Sequence, residues 1–242
     1  MKQELVPGNP VTAVHVEYRV VARERVLSDA EIGEVWRATG ALGWPWGPFF
    51  RFLLLTLQRE VETAGLRWFE LSDDLARWEI AGTRTKNRRA HIVHLVPAAR
   101  EIIRAAPRFA IAPGASASPF VFTTTGRAPV SGFSHAKSRL ENEILANRIK
   151  VAAATGQPPE PLEPWRIHDL RRTGVTVMAR LGVGYEVADR VLNHVGGAIQ
   201  GVVAIYQRHE YLAEREAALK LWAHHVQAMA EAVQGNASAI ET

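Results

Sequence analysis

Two residues in the stretch WRIHDLRRT, His168 and Arg171, stand three positions apart. On a helix that spacing aims both at one target. Histidine exchanges a proton near neutral pH. Arginine stays charged and offers paired planar donors that suit a phosphate. Arg59 is embedded in the apolar run LLLTLQRE, where a buried guanidinium is costly unless it meets an anion. Glu62, three residues on, shares its helix face. Lys86 sits with Arg84, Arg88 and Arg89 in the cation-rich stretch TRTKNRRA, His194 follows Leu192 and Asn193, and Tyr206 lies in VVAIYQRHEY. Each has an ordinary alternative: a chance His–Arg spacing, a structural ion pair for Arg59, a solvated turn around Lys86, a helix cap for His194 and a core phenol for Tyr206. Their order and joint spacing weigh more than any one of them.

The elements that must position these residues follow from periodicity and punctuation. Ser28 and Glu31 form a capping-box pattern, and Ile32, Val35 and Trp36 continue it at helical spacing, predicting a helix over 29–39. Residues 40–47 read as a loop and Pro48 as a helix start, with a buried helix from 49 to about 63. Alternation predicts strands over 75–82 and 91–95, with TRTKNRRA as the hairpin tip between them. A short helix is expected over 97–106, a Pro- and Gly-containing loop over 107–119, and a short strand over 120–122. Further helices are expected at 130–153, 167–181, 185–193, 200–221 and 223–233, with a Pro-rich connection over 156–164. The fold class is therefore mainly α with a small antiparallel β-sheet. The division is a linker or remnant over 1–23, one domain over 24–222, and a C-terminal helix and tail over 223–242.

Composition narrows the function. The 242 residues are 47% hydrophobic and 22% charged, an ordinary globular balance. There is no cysteine, which excludes disulfide scaffolds, thiolate metal sites and a cysteine nucleophile. No carboxylate cluster has metal-ligand spacing. The net charge of +4 permits nucleic-acid binding without requiring it. The longest apolar run is interrupted by Arg51 and is too short to span a bilayer. The first ten residues, MKQELVPGNP, have no apolar signal stretch, which argues against secretion.

Taken together the segments resemble the tyrosine recombinases, or phage-type integrases, over about residues 24–225. LLLTLQREVETAGLRW resembles the family's first arginine segment, with Arg59 and its acidic companion Glu62. WEIAGTRTKNRRAHIVHL is similar to the hairpin that carries a catalytic lysine, here Lys86. IHDLRRT matches the His-x-x-Arg box with His168 and Arg171, LNH the second histidine box with His194, and AIYQRHEYLAEREAALKLWAHHV the nucleophile segment of the prophage-type branch with Tyr206. The sequence departs from the pattern at Leu57 and Asn193, where glycine is usual, and at Glu60-Val61, where Arg-Gly is common.

The resemblance implies a DNA phosphodiester substrate. Arg59 and Arg171 would hold the non-bridging oxygens, His168 would take or relay the tyrosine proton, and His194 would donate to a phosphate oxygen. Lys86 would protonate the leaving 5′ oxygen, and Tyr206 would become joined to the 3′ phosphate. No metal or cofactor is implied. Double-stranded DNA would be gripped through its phosphates by Arg84, Arg88, Arg89, Lys137 and Arg139. The protein would be cytoplasmic, a monomer alone and a tetramer on recombining DNA. The family's N-terminal clamp domain has no counterpart in the 23 residues before the catalytic part, so an isolated catalytic domain is expected. The rival readings are a recombinase-derived domain that binds DNA without cutting it, and a type IB topoisomerase. His168 favours recombinase over the latter, which usually has a lysine at that place.

Overall fold

In the computed structural model, which describes residues 24–111, 116–194 and 210–238, Ser28 caps helix α1 (Asp29–Ala38). Its hydroxyl accepts from Glu31 N at 3.2 Å, and Glu31 Oε2 accepts from Ser28 N at 2.8 Å. This is the reciprocal capping box that the pattern predicts. Ile32, Val35 and Ala38 face the core.

Helix α2 (Trp46–Thr56) begins two residues before Pro48. Its Phe49, Phe50, Phe52, Leu53, Leu54 and Leu55 are all buried, as the unbroken apolar run requires. The helix does not run on to residue 63. Leu57 turns into the left-handed region at φ 56°, and a short helix α3 (Glu60–Ala64) restarts with Arg59 as its N-cap. Two partners distant in sequence make this break. Arg171 donates to Leu57 O, and Gln58 Nε2 bridges Thr56 O (2.7 Å) and Val191 O (3.0 Å). The left-handed turn costs roughly 1–2 kcal/mol, offset by full burial of the Leu57 side chain. Gly174 permits that burial, because a Cβ there would stand 2.3 Å from Leu57 Cδ1.

Strands β1 (Arg77–Ile80) and β2 (His91–His94) pair antiparallel, Trp78 against Val93 and Ile80 against His91. Trp78, Ile80 and Val93 point into the core while Arg77 and Glu79 point out. The strand expected over 120–122 does not form. Phe120 makes one isolated bridge to Arg67, and Val121 and Phe122 are core residues on an irregular segment. Helix α4 (Pro97–Arg104) starts on its proline. Helix α5 (Phe133–Thr155) is bounded by Gly132 and Gly156, both at positive φ. Helices α6 (Ile167–Arg180) and α7 (Tyr185–Val191) follow.

The last helix corrects the expectation most. Instead of separate pieces over 200–221 and 223–233, one continuous helix α8 (Leu212–Ser238) passes through Trp222 without a break. Tyr211 precedes it at φ 50° rather than lying inside it. Trp222 is fully buried with Nε1 donating to Leu54 O at 2.7 Å, and Val226 is fully buried too. Helix α8 lies so close on α1 that a Cβ at Gly33 would meet Met229 O at 2.4 Å. Its apolar stripe therefore docks on its own domain. The fold is mostly helical with one small two-stranded antiparallel sheet. No described helix is long and apolar enough to cross a membrane.

Two changes test the cis docking of α8. Trp222→Ala empties a buried indole site and unpairs Leu54 O, and should cost about 3–5 kcal/mol, read as a lower urea midpoint at an unchanged slope. Truncation after Trp222 removes the buried Ala223, Val226 and Ala230 and should abolish the cooperative transition. A truncated chain as stable as the full one would refute the docking.

Candidate active site

The site is assembled on the carboxyl end of α7. A helix terminus leaves its last carbonyls without partners, and here three consecutive ones are taken by side chains from three other elements. Val191 O accepts from Gln58 Nε2 at 3.0 Å, on the α2–α3 junction. Leu192 O accepts from Arg171 Nη2 at 2.7 Å, on α6. Asn193 O accepts from Asn87 Nδ2 at 2.7 Å, in the hairpin tip. Each donor adjoins or is itself one of the residues that the sequence singles out.

Two of these donors, Gln58 and Arg171, also line a cleft of about 1110 Å³ whose cations are Arg59, Arg84, Lys86, Lys137, Arg166 and Arg171, with His168 in the wall. Arg59, Lys86, His168 and Arg171 are thus brought together. His194 is not among the lining residues; its side chain is 42% exposed, with Nδ1 3.0 Å from Asp189 Oδ1. Tyr206 lies outside the described residues. Arg59 is not mid-helix as expected but occupies the N-cap position of α3 without a side-chain cap, and its Nη1 donates to Glu62 Oε1 at 2.9 Å. Glu62 is only 4% exposed, and its Oε1 also lies 3.5 Å from Lys86 N.

Arg171 is 2% exposed. Its terminal nitrogens donate to Leu57 O and Leu192 O, and its Nε has no hydrogen-bond partner among the described residues. Burial first, and then the facing Arg59, push it down to about 9, so it still carries its charge at neutral pH. Two cations held this close, with Glu62 as the nearby relief, favour an entering anion. Burial, followed by Arg171, also lowers His168 and His194, with Asp189 pulling His194 back up. His168 is therefore neutral at pH 7 and able to accept a proton.

The expected DNA-contacting cations divide. Arg88 and Arg89 are exposed on the hairpin tip, and Arg139 is exposed on α5. Lys137 lines the cleft, paired with Glu141 and lying 4.6 Å over the Trp165 ring. Arg84 departs from the expectation. It turns inward to the Glu70 carboxylate and donates to Glu62 O at 3.0 Å, anchoring the hairpin to α3. It still lines the cleft, but its charge is paired with Glu70.

Several residues here escape a reading from sequence. Gln58 and Asn87 are buried or half-buried donors whose partners are more than 100 positions away, so no local signal finds them. Glu60 places a carboxylate in the cleft wall, which burial raises. Behind the cleft, Arg215 of α8 donates to Ile92 O and lies 3.3 Å from Nδ1 of the buried His91.

Two expectations follow. Arg171→Ala leaves the Leu57 and Leu192 carbonyls unpaired, each worth about 1–3 kcal/mol, so urea denaturation should show a clear loss of stability. A stability equal to that of the parent would mean that the fork is not structural. Burial, then Arg215, pushes His91 down to about 3, against an ordinary value near 6.5 in the unfolded chain. Between these values only the unfolded chain binds the proton, so this contribution is full above pH 6.5 and is lost as pH falls toward 3. The urea midpoint should drop from pH 7 to pH 5, and drop less in His91→Gln.

The family model described as "Phage integrase family" matches residues 41–212. Neither the curated proteins nor the solved structures contain a match. The matched span begins five residues before α2, ends on the first residue of α8 and includes every element that lines the cleft. With most of its length matched, and with a helical fold that gathers the expected arginine, lysine and histidine residues at one place, the chain belongs to the phage integrase family.

Proposed function

We propose that this protein is a site-specific DNA recombinase of the prophage-type branch that cuts and rejoins DNA through a 3′-phosphotyrosine intermediate. The observation that carries the reading is the convergence of Arg59, Lys86, His168 and Arg171 on one cleft, in a chain of the integrase family. The scissile phosphate enters against Arg59 and Arg171, which neutralise charge that grows in the transition state. The Tyr206 oxygen attacks phosphorus and gives its proton to His168. The bond from phosphorus to the 5′ oxygen breaks, and Lys86 supplies the proton to that oxygen. His194 donates to a phosphate oxygen. Attack by a partner strand's 5′ hydroxyl reverses the step, so the bond energy is conserved.

Arg88, Arg89, Lys137 and Arg139 add phosphate contacts, which makes affinity fall with salt. Four protomers on two duplexes complete the exchange. Glu60 and Val61, where the family commonly has Arg-Gly, make the cleft wall less basic than is usual.

The test is a nicked, labelled duplex that traps the cleaved strand. The parent chain should form a covalent adduct, Tyr206→Phe should lose it while keeping its DNA affinity, and Tyr211→Phe should keep it. An adduct that survives in Tyr206→Phe and vanishes in Tyr211→Phe moves the nucleophile to Tyr211. Salt-dependent binding with no adduct from the parent chain would instead make this a DNA-binding module.

A further inference from the structure

Asn87 and Asn193 each stand next to a candidate site residue in the chain: Lys86 on the hairpin and His194 after α7. The Asn87 side chain is used at both ends. Its Oδ1 accepts from Arg89 N at 3.1 Å and so builds the hairpin tip. Its Nδ2 donates outward to Asn193 O at 2.7 Å and to Asn193 Oδ1 at 2.9 Å. The rest of the tip is braced internally, with Thr85 Oγ1 donating to Arg89 O at 2.8 Å and Arg88 N to Thr85 O at 3.2 Å. The tip is therefore a preformed unit, tied to α3 through Arg84 and to the α7 end through the Asn87–Asn193 pair.

Asn193 is equally committed. It is 9% exposed and left-handed at φ 51°, a conformation that asparagine tolerates better than most residues. Glycine would fit that backbone as well, but has no Oδ1 to receive Asn87. The left-handed turn brings Asn193 O out toward the hairpin and passes the chain directly to His194, whose N donates to Asp189 O at 3.2 Å.

We propose that Asn87 and Asn193 form a clasp that sets Lys86 against His194, Asn87 being a positioning residue for protonation of the leaving oxygen. This rests on the recombinase reading above. The clasp joins a basic hairpin that has few other ties to the α7 end. It acts on the residue that precedes Asn87 by holding the tip's backbone in place. A proton donor misplaced by about 1 Å loses rate on the order of a hundredfold.

Asn87→Asp keeps the acceptor for Arg89 N and for the longer contact from Asn193 Nδ2 at 3.4 Å, and loses the outward N–H to Asn193 O. Asn87→Ala removes both ends and serves as the second variant. On an ordinary trapping duplex each should cleave about ten- to a hundredfold more slowly with an unchanged dissociation constant for DNA. On a duplex whose leaving 5′ oxygen is replaced by sulfur, both should match the parent chain, because a thiolate leaves without a proton. Full cleavage rate on the ordinary duplex, or an equal defect on oxygen and sulfur, would overturn the proposal. Amide hydrogen exchange on the free protein judges the clasp independently of cleavage. Asn87→Asp should speed exchange at residues 85–90 and 193–194 together, and no joint change would overturn it. A parent chain that makes no adduct on either duplex defeats the recombinase reading, and the exchange result then decides the clasp alone.

Discussion

The open carboxyl end of α7 is the constraint on which the site depends. A seven-residue helix ends here in three consecutive carbonyls, and water is largely kept away from them by the surrounding core. Unpaired, such carbonyls would be costly. The chain meets them with side chains from the α2–α3 junction, α6 and the hairpin. Because Gln58 adjoins Arg59, Asn87 adjoins Lys86 and Asn193 adjoins His194, satisfying the helix end also fixes the spacing of the cleft's cations. Pairing the buried carbonyls and spacing the cleft's cations are here one problem.

The same junction explains the break at Leu57. An uninterrupted helix from α2 would point its carbonyls along its own axis and bury Arg59 in its run of leucines. Instead the chain takes a left-handed residue, exposes Leu57 O to Arg171, and restarts with Arg59 at the head of α3. The strain at Leu57 is held by packing against Gly174. Arg171 thus does two things. Its fork ties α6 to two other elements, and its charge faces Arg59 across a cleft in which Glu62 is the near counterweight. The cleft thus gathers an excess of positive charge, and its histidines are held neutral by the same burial and cations.

Around this centre the outer elements act as supports. Arg84 fastens the hairpin base to Glu70 and α3, Arg215 fastens α8 to β2, and Trp222 fastens α8 to α2. Helix α8 completes the core of its own domain, so its apolar stripe is already covered before any partner protomer arrives. An assembly that recruits this helix in trans would first have to detach it from α1.

Much of this protein is legible in its residues alone. The capping box at Ser28, the apolar run of α2, the alternation of β1 and β2, and the i,i+3 spacing of His168 and Arg171 are signals carried within a turn or a strand. Each of those elements forms near its expected place. What tertiary structure decides is set by partners distant in the chain. The end of α2 at Thr56, the inward turn of Arg84, the failure of residues 120–122 to pair as a strand, and the continuity of α8 through Trp222 all contradict local pattern. So does the grip of Asn87 on Asn193, which no periodicity records. The reason is physical: periodicity reports which face of an element is apolar, whereas a buried carbonyl or guanidinium is satisfied by whatever donor or acceptor the folded chain brings to it.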